Sequence, residues 1–400
     1  MTSSDGGSEQ PWNQQRLRST NERMLLERLR TGAASRAQLA RETGLSKPTV
    51  SSALAALEAS GLVREAGLHT PERGRVAVLY VPDPAAGYAL GIDIGRAWLR
   101  IALADLDGTV VARADVRNRA RTSGAMADLV VATAHQVVAD SGVSPDKVAH
   151  AVVGTPGVYD SEARRVRYAM HLPGWGRAGL FDRMRDELGV PLAVHNDANL
   201  AALGEHAFGV GTGSRLFVYV MIGTGLGMGV VADGRLFTGA HGAAGEIGFL
   251  PWSGRTEPDT LEDAVSAEAV VRAARALGMT GPLTAKAVFG AARTGDPAAV
   301  AAVRQEGERL AHTVAAVAAV LDPDLVVLGG GVGHSADLLL ETVDTTMRRL
   351  TPLRPKVAAS ALGEDAVLLG AVATALTTAR DVVFDQRSAG PSPNGSRAAH

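Results

Sequence analysis

The pattern of hydrophobic and polar positions changes along the chain. Near the start, apolar side chains recur every three or four positions, as at Val50, Leu54 and Leu57, which is the spacing of the buried face of a helix. From about residue 88, short β-branched and aliphatic runs alternate with helical stretches, as in an α/β protein. The sequence therefore predicts a small helical module followed by a larger α/β body.

Two short helices are predicted within residues 33–61, joined by a tight turn at Gly44. Ser35 is a suitable N-cap for the first helix, and Gln38 is placed to complete a capping box. Ser46 caps the second helix in the same way. The pattern is that of a helix-turn-helix, a motif whose second helix enters the major groove of DNA. The residues predicted to face DNA from this helix are Ser46, Lys47, Thr49, Ser51 and Ser52.

A strand pair is predicted after the second helix, over residues 62–64 and 76–80. The connection between them carries Arg73 and Arg75, so the module is predicted to be a winged helix-turn-helix with both arginines near phosphate or the minor groove. Residues 1–80 hold 11 Lys and Arg against 8 Asp and Glu, whereas the whole chain has a net charge of −2. A basic N-terminal part fits a nucleic-acid partner.

Composition excludes several classes of protein and sets domain boundaries. There is no cysteine, which excludes disulfides and thiolate metal sites. We see neither a signal sequence nor an apolar run of about 18 residues, so we expect a cytoplasmic protein with no membrane contact. We expect disordered tails at 1–14 and 381–400, the winged module at 15–82 and the α/β body at 86–380.

The body repeats one arrangement of elements. Three strands between residues 88 and 116, a helix near 125–141 and a further strand are followed, after Arg215, by a second series of strands, a long helix near 298–321 and a buried strand. We therefore predict two lobes of similar architecture with a cleft between them.

Two glycine-rich turns, one in each half of the body, are candidates for a phosphate site. Asp93 and Gly95 lie at the first, and Gly223, Thr224 and Gly225 lie at the second. Such turns present backbone N–H groups to phosphate, and a nearby carboxylate can hold a metal. The alternative is that both are plain turns, in which glycine only permits unusual backbone angles.

Three carboxylates are candidates for binding hydroxyl groups. Asn196 and Asp197 follow a predicted strand and begin a helix, so they are either helix caps or a clamp for vicinal hydroxyls. Glu246 lies among small residues that would let a ligand approach, or else on a solvated loop. Glu262 lies in the first turn of a helix, where the dipole favours a carboxylate in any case. The ten histidines show no metal-binding spacing, and we expect no metal.

Eight segments, taken in order, resemble the ROK family of repressors and sugar kinases, and specifically its transcriptional-regulator branch. The segments are GIDIG (91–95), GTPGV (154–158), LPGW (172–175), NDANLAALGE (196–205), GTGLGMG (223–229), GAAGEIG (242–248), VVLGGGV (326–332) and LGEDAVLLGA (362–371).

This resemblance implies an actin-like ATPase fold of two lobes, and dimers or tetramers. It also implies that Gly157, Asn196, Asp197 and Glu246 line a sugar site, with Asp197 at the position of the catalytic base of the family's kinases. Glu262 is similar to a further glutamate that contacts sugar in the family.

The chain departs from the kinase pattern at three places. The family's D-x-G-G-T is here Asp93-Ile94-Gly95-Arg96-Ala97, a histidine that touches sugar and zinc is replaced by Phe249, and the cysteine-rich zinc segment is missing. We therefore expect Asp93, Gly95 and the glycines near Thr224 to be the remnant of a nucleotide site. We expect neither ATP with Mg²⁺ nor zinc as cofactor, and no catalytic residue.

These features together predict a sugar-responsive DNA-binding regulator, a repressor of genes for carbohydrate uptake and catabolism. A homodimer or homotetramer would bind an inverted repeat of double-stranded DNA. The first alternative is an active ATP-dependent sugar kinase that carries a DNA-binding head. The second is that the cleft binds a different ligand or none.

Overall fold

The computed structural model describes residues 14–69, 76–168, 174–252 and 260–388. These residues form two compact units. The first unit comprises described residues up to Tyr88 together with 105–109 and 377–388, and the second comprises 89–104 and 110–376.

The predicted helices and strands occur in the expected order, with further elements between them. The α-helices are α1 (Gln14–Arg30), α2 (Arg36–Thr43), α3 (Lys47–Ala59), α4 (Ser123–Ser141), α5 (Leu180–Leu188), α6 (Asp197–Phe208), α7 (Leu261–Ala264), α8 (Ala267–Ala276), α9 (Ala285–Arg293), α10 (Pro297–Leu321), α11 (Gly330–Gly333), α12 (Leu340–Leu350) and α13 (Ala366–Ser388). The strands are β1 (Ala34–Ser35), β2 (Val63–His69), β3 (Ala77–Pro82), β4 (Tyr88–Ile94), β5 (Trp98–Asp105), β6 (Val110–Arg117), β7 (Val148–Thr155), β8 (Val158–Asp160), β9 (Arg165–Arg167), β10 (Leu192–Asn196), β11 (Leu216–Ile222), β12 (Leu226–Ala232), β13 (Arg235–Leu236), β14 (Leu325–Gly329) and β15 (Lys356–Ala359).

The first unit contains the predicted helix-turn-helix, formed by α2 and α3. Ser35 and Gln38 make both hydrogen bonds of a capping box, and Gly44 ends α2 in the left-handed conformation with φ of 74°. The Ser46 hydroxyl accepts a hydrogen bond from the Thr49 N–H at the start of α3. These caps satisfy backbone groups that the helix ends leave unpaired, and they explain why the local sequence alone predicts the motif.

The wing is an antiparallel pair of β2 and β3, and β1 adds a third strand beside β3. Tyr80 on β3 is buried in this unit. Arg73 and Arg75, predicted to contact DNA, lie outside the described residues, as does most of the predicted N-terminal tail.

The end of α13 belongs to the first unit, which corrects the tail predicted from residue 381. The helix continues to Ser388, and Val383 and Phe384 are buried, with Phe384 only 1% exposed. The Arg23 guanidinium of α1 stacks over the Phe384 ring at 4.4 Å from its centroid. Apolar burial and this cation–π contact order residues whose polar neighbours suggested a tail.

The second unit is built on two five-stranded sheets with the same topology. Their strand orders are β10-β7-β4-β5-β6 and β15-β14-β11-β12-β13. In the first sheet, β4, β5 and β6 are neighbours in sequence order, β7 lies on the other side of β4, and β10 lies at the edge beside β7. The second sheet repeats this arrangement, with β14 beside β11 and β15 at the edge. The duplicated architecture expected from the sequence is therefore confirmed.

Helices α6 and α13 cross at a pair of glycines in the second unit. A Cβ on Gly370 would lie 1.8 Å from the Leu200 carbonyl oxygen, and a Cβ on Gly204 would lie 2.4 Å from the Ala366 carbonyl oxygen. The two backbones therefore approach each other at a distance that only glycine permits.

The sequence led us to expect no segment that could span a membrane. Among the described residues, the helical stretch Gly363–Ser388 is long and apolar enough to do so. Half of its most apolar 18 residues are buried inside the protein. Core helices of globular proteins share this composition.

A buried carboxylate lies on the long helix α10. Glu306 is 1% exposed, and neither of its carboxylate oxygens has a hydrogen-bond partner among the described residues. Burial raises its pKa to about 8, partly offset by Arg309 and Arg272. At neutral pH this side chain is therefore mostly protonated.

Candidate functional site

A cavity of about 210 Å³ in the second unit brings most of the predicted ligand and nucleotide residues together. We call it the carboxylate pocket, after Asp197, Glu246 and Glu262 in its wall. The other predicted residues that line it are Gly95, Gly157, Asn196, Gly223, Thr224, Gly225 and Phe249.

Asn196 and Asp197 reach the carboxylate pocket from the junction of β10 and α6. Asn196 caps α6 by accepting a hydrogen bond from the Asn199 N–H at 3.0 Å. Its amide nitrogen also donates to the Gly157 carbonyl and to Asp197 Oδ1, at 3.3 and 3.2 Å. The cap and the ligand-facing position therefore occur in the same side chain, and the two interpretations of this segment are compatible.

The Asp197 carboxyl group titrates close to neutrality. Burial raises its pKa to about 6, although hydrogen bonds from the backbone and from Asn196 oppose the rise. One of these bonds runs from the Ala198 N–H to Oδ1, at 2.8 Å. A carboxyl group with this pKa can accept hydrogen bonds from hydroxyl groups, and it can also take a proton from one of them.

Glu246 stands on a loop that is bonded directly to strand β12. Gly245 has φ of 96°, and its carbonyl accepts a hydrogen bond from the Met228 N–H at 3.0 Å. A Cβ at Gly245 would lie 1.9 Å from the Met228 carbonyl oxygen. Glycine is therefore required to bring Glu246 to the pocket. Burial and the nearby charges of Asp197 and Glu262 raise the pKa of Glu246.

Glu262, in the first turn of α7, is held against the second glycine-rich turn. Its Oε2 accepts a hydrogen bond from the Leu226 N–H at 3.0 Å. A Cβ on Gly225 would lie 2.6 Å from the same oxygen. Glycine at position 225 therefore leaves space for the Glu262 carboxylate. The same turn is a candidate for binding phosphate.

Two aromatic rings form part of the pocket wall. Phe249 is 53% exposed, and it meets Tyr168 edge to face, with the ring centroids 5.6 Å apart. Sequence reasoning missed Tyr168. Its positive φ of 62° is unusual for a tyrosine, but no motif in the sequence marks it.

Asp93 is not part of the carboxylate pocket. It is the penultimate residue of β4 and is 5% exposed, and the Arg100 guanidinium lies 3.4 Å from its Oδ2. Burial raises the pKa of Asp93 to about 7, while Arg100 lowers it. The predicted metal-binding carboxylate is therefore paired with a cation of the protein itself.

Arg96 lies at the first glycine turn and reaches the second. Its guanidinium donates a hydrogen bond to the Thr224 hydroxyl at 3.5 Å. The side chain thus stands between the two turns that were candidates for cradling phosphate.

No cluster of three metal-ligating side chains occurs within the described ranges. Residues 253–259, which lie in the segment where the resemblance implies that a zinc site is missing, are outside those ranges.

The predicted DNA-contacting residues lie on the N-terminal half of α3 and at its cap. Ser46, Lys47, Ser51 and Ser52 are exposed, whereas Thr49 is half-buried. The Thr49 hydroxyl lies 2.8 Å from the Ser46 hydroxyl, so these two side chains also stabilise the start of the helix. Val50, Leu54 and Leu57 on the opposite face are buried.

The chain is similar to known proteins over both units. The ROK family model matches residues 89–378, and the MarR family model matches residues 21–74. A glucokinase of Halalkalibacterium halodurans is 30% identical over 309 residues, which cover 70% of this chain and 92% of that enzyme.

A regulator and a solved structure extend these similarities. The xylose repressor of Bacillus subtilis is 31% identical over 235 residues, covering 58% of this chain and 61% of the repressor. The crystal structure of a ROK family transcriptional regulator, described as a homolog of the E. coli MLC protein, aligns with a TM-score of 0.75 and 22% identity over 93% of this chain and 99% of that one. The ROK match covers well over half of the residues, and the chain therefore belongs to the ROK family.

Proposed function

We propose that this protein is a sugar-responsive transcriptional repressor that controls genes for carbohydrate uptake and catabolism. The observation that carries the proposal is the presence, in one chain, of a winged helix-turn-helix with an exposed polar face and a ROK domain with the carboxylate pocket. Relatives of both kinds, a glucokinase and a xylose repressor, align with this chain.

The ligand we propose is a monosaccharide or a close derivative. Asn196, Asp197, Glu246 and Glu262 offer carboxylate and amide groups, which bind hydroxyl groups well. Tyr168 and Phe249 add apolar ring faces to the same wall. Phe249 stands in place of a polar side chain and cannot hydrogen-bond to a ligand hydroxyl. The pocket therefore favours ligands that have no hydroxyl group facing this position.

The DNA target we propose is a double-stranded operator with an inverted repeat. Lys47, Ser51 and Ser52 would read the major groove, and Arg73 and Arg75 of the wing would contact phosphate or the minor groove. A homodimer or homotetramer would present two such heads. A protein with this target works in the cytoplasm.

We propose that the pocket has no kinase activity. Asp93, which would hold a metal, is buried beside Arg100, and Arg96 bridges the two glycine turns. These residues do not fit ATP with Mg²⁺, because one cation occupies the carboxylate and the other stands between the candidate phosphate-binding turns. We likewise propose that no zinc is bound.

The second candidate is an ATP-dependent sugar kinase with a DNA-binding head, and Asp197 favours it. A carboxyl group with a pKa of about 6 is suited to accept the proton of an attacking hydroxyl. The glycine turn at Gly223–Gly225 is intact and lines the same pocket.

Ligand binding and turnover separate the two candidates. We would titrate the full-length protein and Asp197→Ala with xylose and glucose by calorimetry, and run a coupled ATPase assay with the same sugars. The repressor proposal expects saturable binding, lost in the variant, with no sugar-dependent turnover. Sustained turnover that disappears in Asp197→Ala would establish the kinase, and absence of binding by any carbohydrate tested would show that the pocket serves a different ligand.

A further inference from the structure

The turn that follows strand β7 forms part of the wall of the carboxylate pocket. Pro156 and Gly157 line the pocket, and Gly157 has φ of 89°, in the left-handed region that favours glycine. The Gly157 carbonyl accepts a hydrogen bond from Asn196 Nδ2 at 3.3 Å. Thr155 and Asn196 lie directly opposite each other in the parallel pair of β7 and β10. A change in the turn therefore acts directly on the Asn196 amide.

Two fully buried polar side chains hold this turn from outside the pocket. The Trp175 indole N–H donates a hydrogen bond to the Thr155 hydroxyl, and the hydroxyl donates to the Pro156 carbonyl at 3.3 Å. Trp175 is 1% exposed and Thr155 is 0% exposed. The described residues that line the pocket include neither of them. Any effect of this pair on a ligand therefore passes through the turn.

The Trp175 ring is held by aromatic neighbours. It meets Phe181 of α5 edge to face, with the ring centroids 5.6 Å apart. Phe181 is itself buried, and it meets Tyr159 of β8 edge to face at 5.7 Å. Edge-to-face pairs are a favoured arrangement of aromatic rings. These contacts keep the indole N–H directed at the Thr155 hydroxyl.

The hydrogen bond between Trp175 and Thr155 contributes to orientation more than to stability. A bond between two neutral groups adds little net stability, because folding exchanges it for bonds to water. A buried polar pair whose partners are satisfied does, however, make the structure around it rigid and specifies one arrangement. The arrangement specified here is that of the turn at Gly157.

We propose that Trp175 and Thr155 are positioning residues for the carboxylate pocket, and that they hold the Gly157 carbonyl where it fixes the Asn196 amide. This inference rests on the proposed function, in which Asn196 and Asp197 bind the ligand. Asn196 Nδ2 donates both to the Gly157 carbonyl and to Asp197 Oδ1. The orientation of the Asn196 amide therefore determines one of the hydrogen bonds to the Asp197 carboxylate.

Loss of the bond between Trp175 and Thr155 should change the titration of Asp197. The hydrogen bond from Asn196 lowers the pKa of Asp197 and opposes the effect of burial. When the turn is released and the Asn196 amide reorients, this bond weakens and the pKa of Asp197 rises. The titratable groups whose pKa Asp197 itself raises are Asp93, Glu246 and Tyr219. All three are kept in every variant, so a difference between variants reports the bond from Asn196.

The test uses the full-length protein and variants that break the bond from either side. Thr155→Val removes the acceptor with little change of shape, and Trp175→Phe removes the donor. Thr155→Ser keeps a hydroxyl that can accept the indole N–H. Phe289→Leu, at a buried position of α9, is the control for a general loss of core packing.

Two properties are measured for each protein. Affinity for xylose and for glucose is determined by calorimetry from pH 5 to pH 8. The Asp197 carboxyl group is titrated in the ligand-free protein by NMR with ¹³C-labelled aspartate, and its signal is assigned with Asp197→Asn. The second measurement does not depend on whether either sugar binds.

We expect Asp197 to titrate at a higher pH in both Thr155→Val and Trp175→Phe than in the wild type. Sugar affinity at pH 6 should fall about tenfold in both, the equivalent of one hydrogen bond to a charged group. Thr155→Ser should titrate as the wild type does and keep most of the affinity. Phe289→Leu should lower the melting temperature and leave the titration of Asp197 unchanged.

The proposal is overturned if Asp197 titrates in folded Thr155→Val, or in Trp175→Phe where the valine variant does not fold, as it does in the wild type. An equal rise in Phe289→Leu would overturn it too, because loss of packing alone would then explain the effect. A wild-type protein that binds neither sugar would count against the proposed function, while the ligand-free titration would still decide the positioning role. The two failures are therefore distinguishable.

Discussion

Arg100 on β5 lies beside Asp93 on β4, with a guanidinium nitrogen 3.4 Å from a carboxylate oxygen. Arg100 also reaches Glu364 at 2.5 Å and Asp115 at 3.7 Å. The carboxylate that a kinase would use for its metal is thus part of a charge network within the protein. This pair is the main structural support for our proposal that the pocket binds no ATP with Mg²⁺.

We predict that Arg100→Met destabilises the fold in a pH-dependent way. Without the cation, the pKa of Asp93 rises further above its present value of about 7, whereas in the unfolded chain it returns to its ordinary low value. The folded state then holds a proton that the unfolded state releases, so stability falls as pH increases towards the raised pKa.

In urea unfolding, Arg100→Met should lower the free energy of unfolding by about 1–3 kcal/mol relative to the wild type. The decrease should be larger at pH 8 than at pH 6. Adding Asp93→Asn should remove the pH dependence. Arg113→Met, which breaks the more exposed pairs with Asp115 and Asp365, is the matched control and should cost less. If Arg100→Met lowered the free energy of unfolding equally at both pH values, the pKa of Asp93 would not be controlled by Arg100.

Sugar affinity should increase as pH rises from 5 to 7. The pKa of Asp197 is about 6, and its ionised form is the better acceptor for hydroxyl groups. Calorimetry with xylose and glucose should show weaker binding by about tenfold in Asp197→Asn, together with a flatter pH profile.

Asp233→Asn, at an exposed hairpin residue with positive φ that asparagine tolerates, is the control for the charge change and should behave as wild type. A wild-type affinity that is independent of pH across this range would argue that Asp197 does not contact the ligand.

Gly370→Ala should lower the melting temperature strongly. Its Cβ would be placed 1.8 Å from the Leu200 carbonyl oxygen, and a backbone atom cannot rotate away. Overpacking of this kind costs about 1–3 kcal/mol. Gly290→Ala, in the interior of α9 with open space around it, should instead be neutral or stabilise by up to about 1 kcal/mol. Equal melting temperatures for the two variants would refute the close crossing of α6 and α13.

Glu306→Gln should stabilise the protein most at alkaline pH. The folded pKa of Glu306 is about 8 against an ordinary value of 4.5, so between these values the folded state binds a proton that the unfolded state has lost. Stability therefore falls with pH in that window, by at most about 1.4 kcal/mol per pH unit. Denaturant unfolding of Glu306→Gln should show a smaller decline from pH 5 to pH 8. A decline identical to that of the wild type would mean that Glu306 ionises normally.

The winged module could be predicted from the sequence because its signals are local. Ser35, Gln38, Gly44 and Ser46 each act within one helical turn, and each performs in the structure the capping role that its position suggests. The repeated α/β body was likewise predictable, since strand and helix periodicity are properties of short segments.

Features that depend on distant residues could not be predicted in this way. The composition of residues 381–388 suggested a tail, because the benefit of burying Phe384 exists only when α1 is beside it. Tyr168 enters the pocket wall through contact with Phe249, which is 81 positions later in the chain. The pairing of Asp93 with Arg100 depends on the alignment of two strands, which the motif around Asp93 does not encode.

The most direct test of the account is sequence selection by the full-length protein from a random duplex pool, followed by titration of the recovered duplex with and without xylose and glucose. We predict one enriched inverted repeat, bound in preference to unrelated duplex, whose affinity shifts about 5-fold or more with at least one of the sugars. Failure to enrich any sequence, whether or not a carbohydrate is present, would contradict the account.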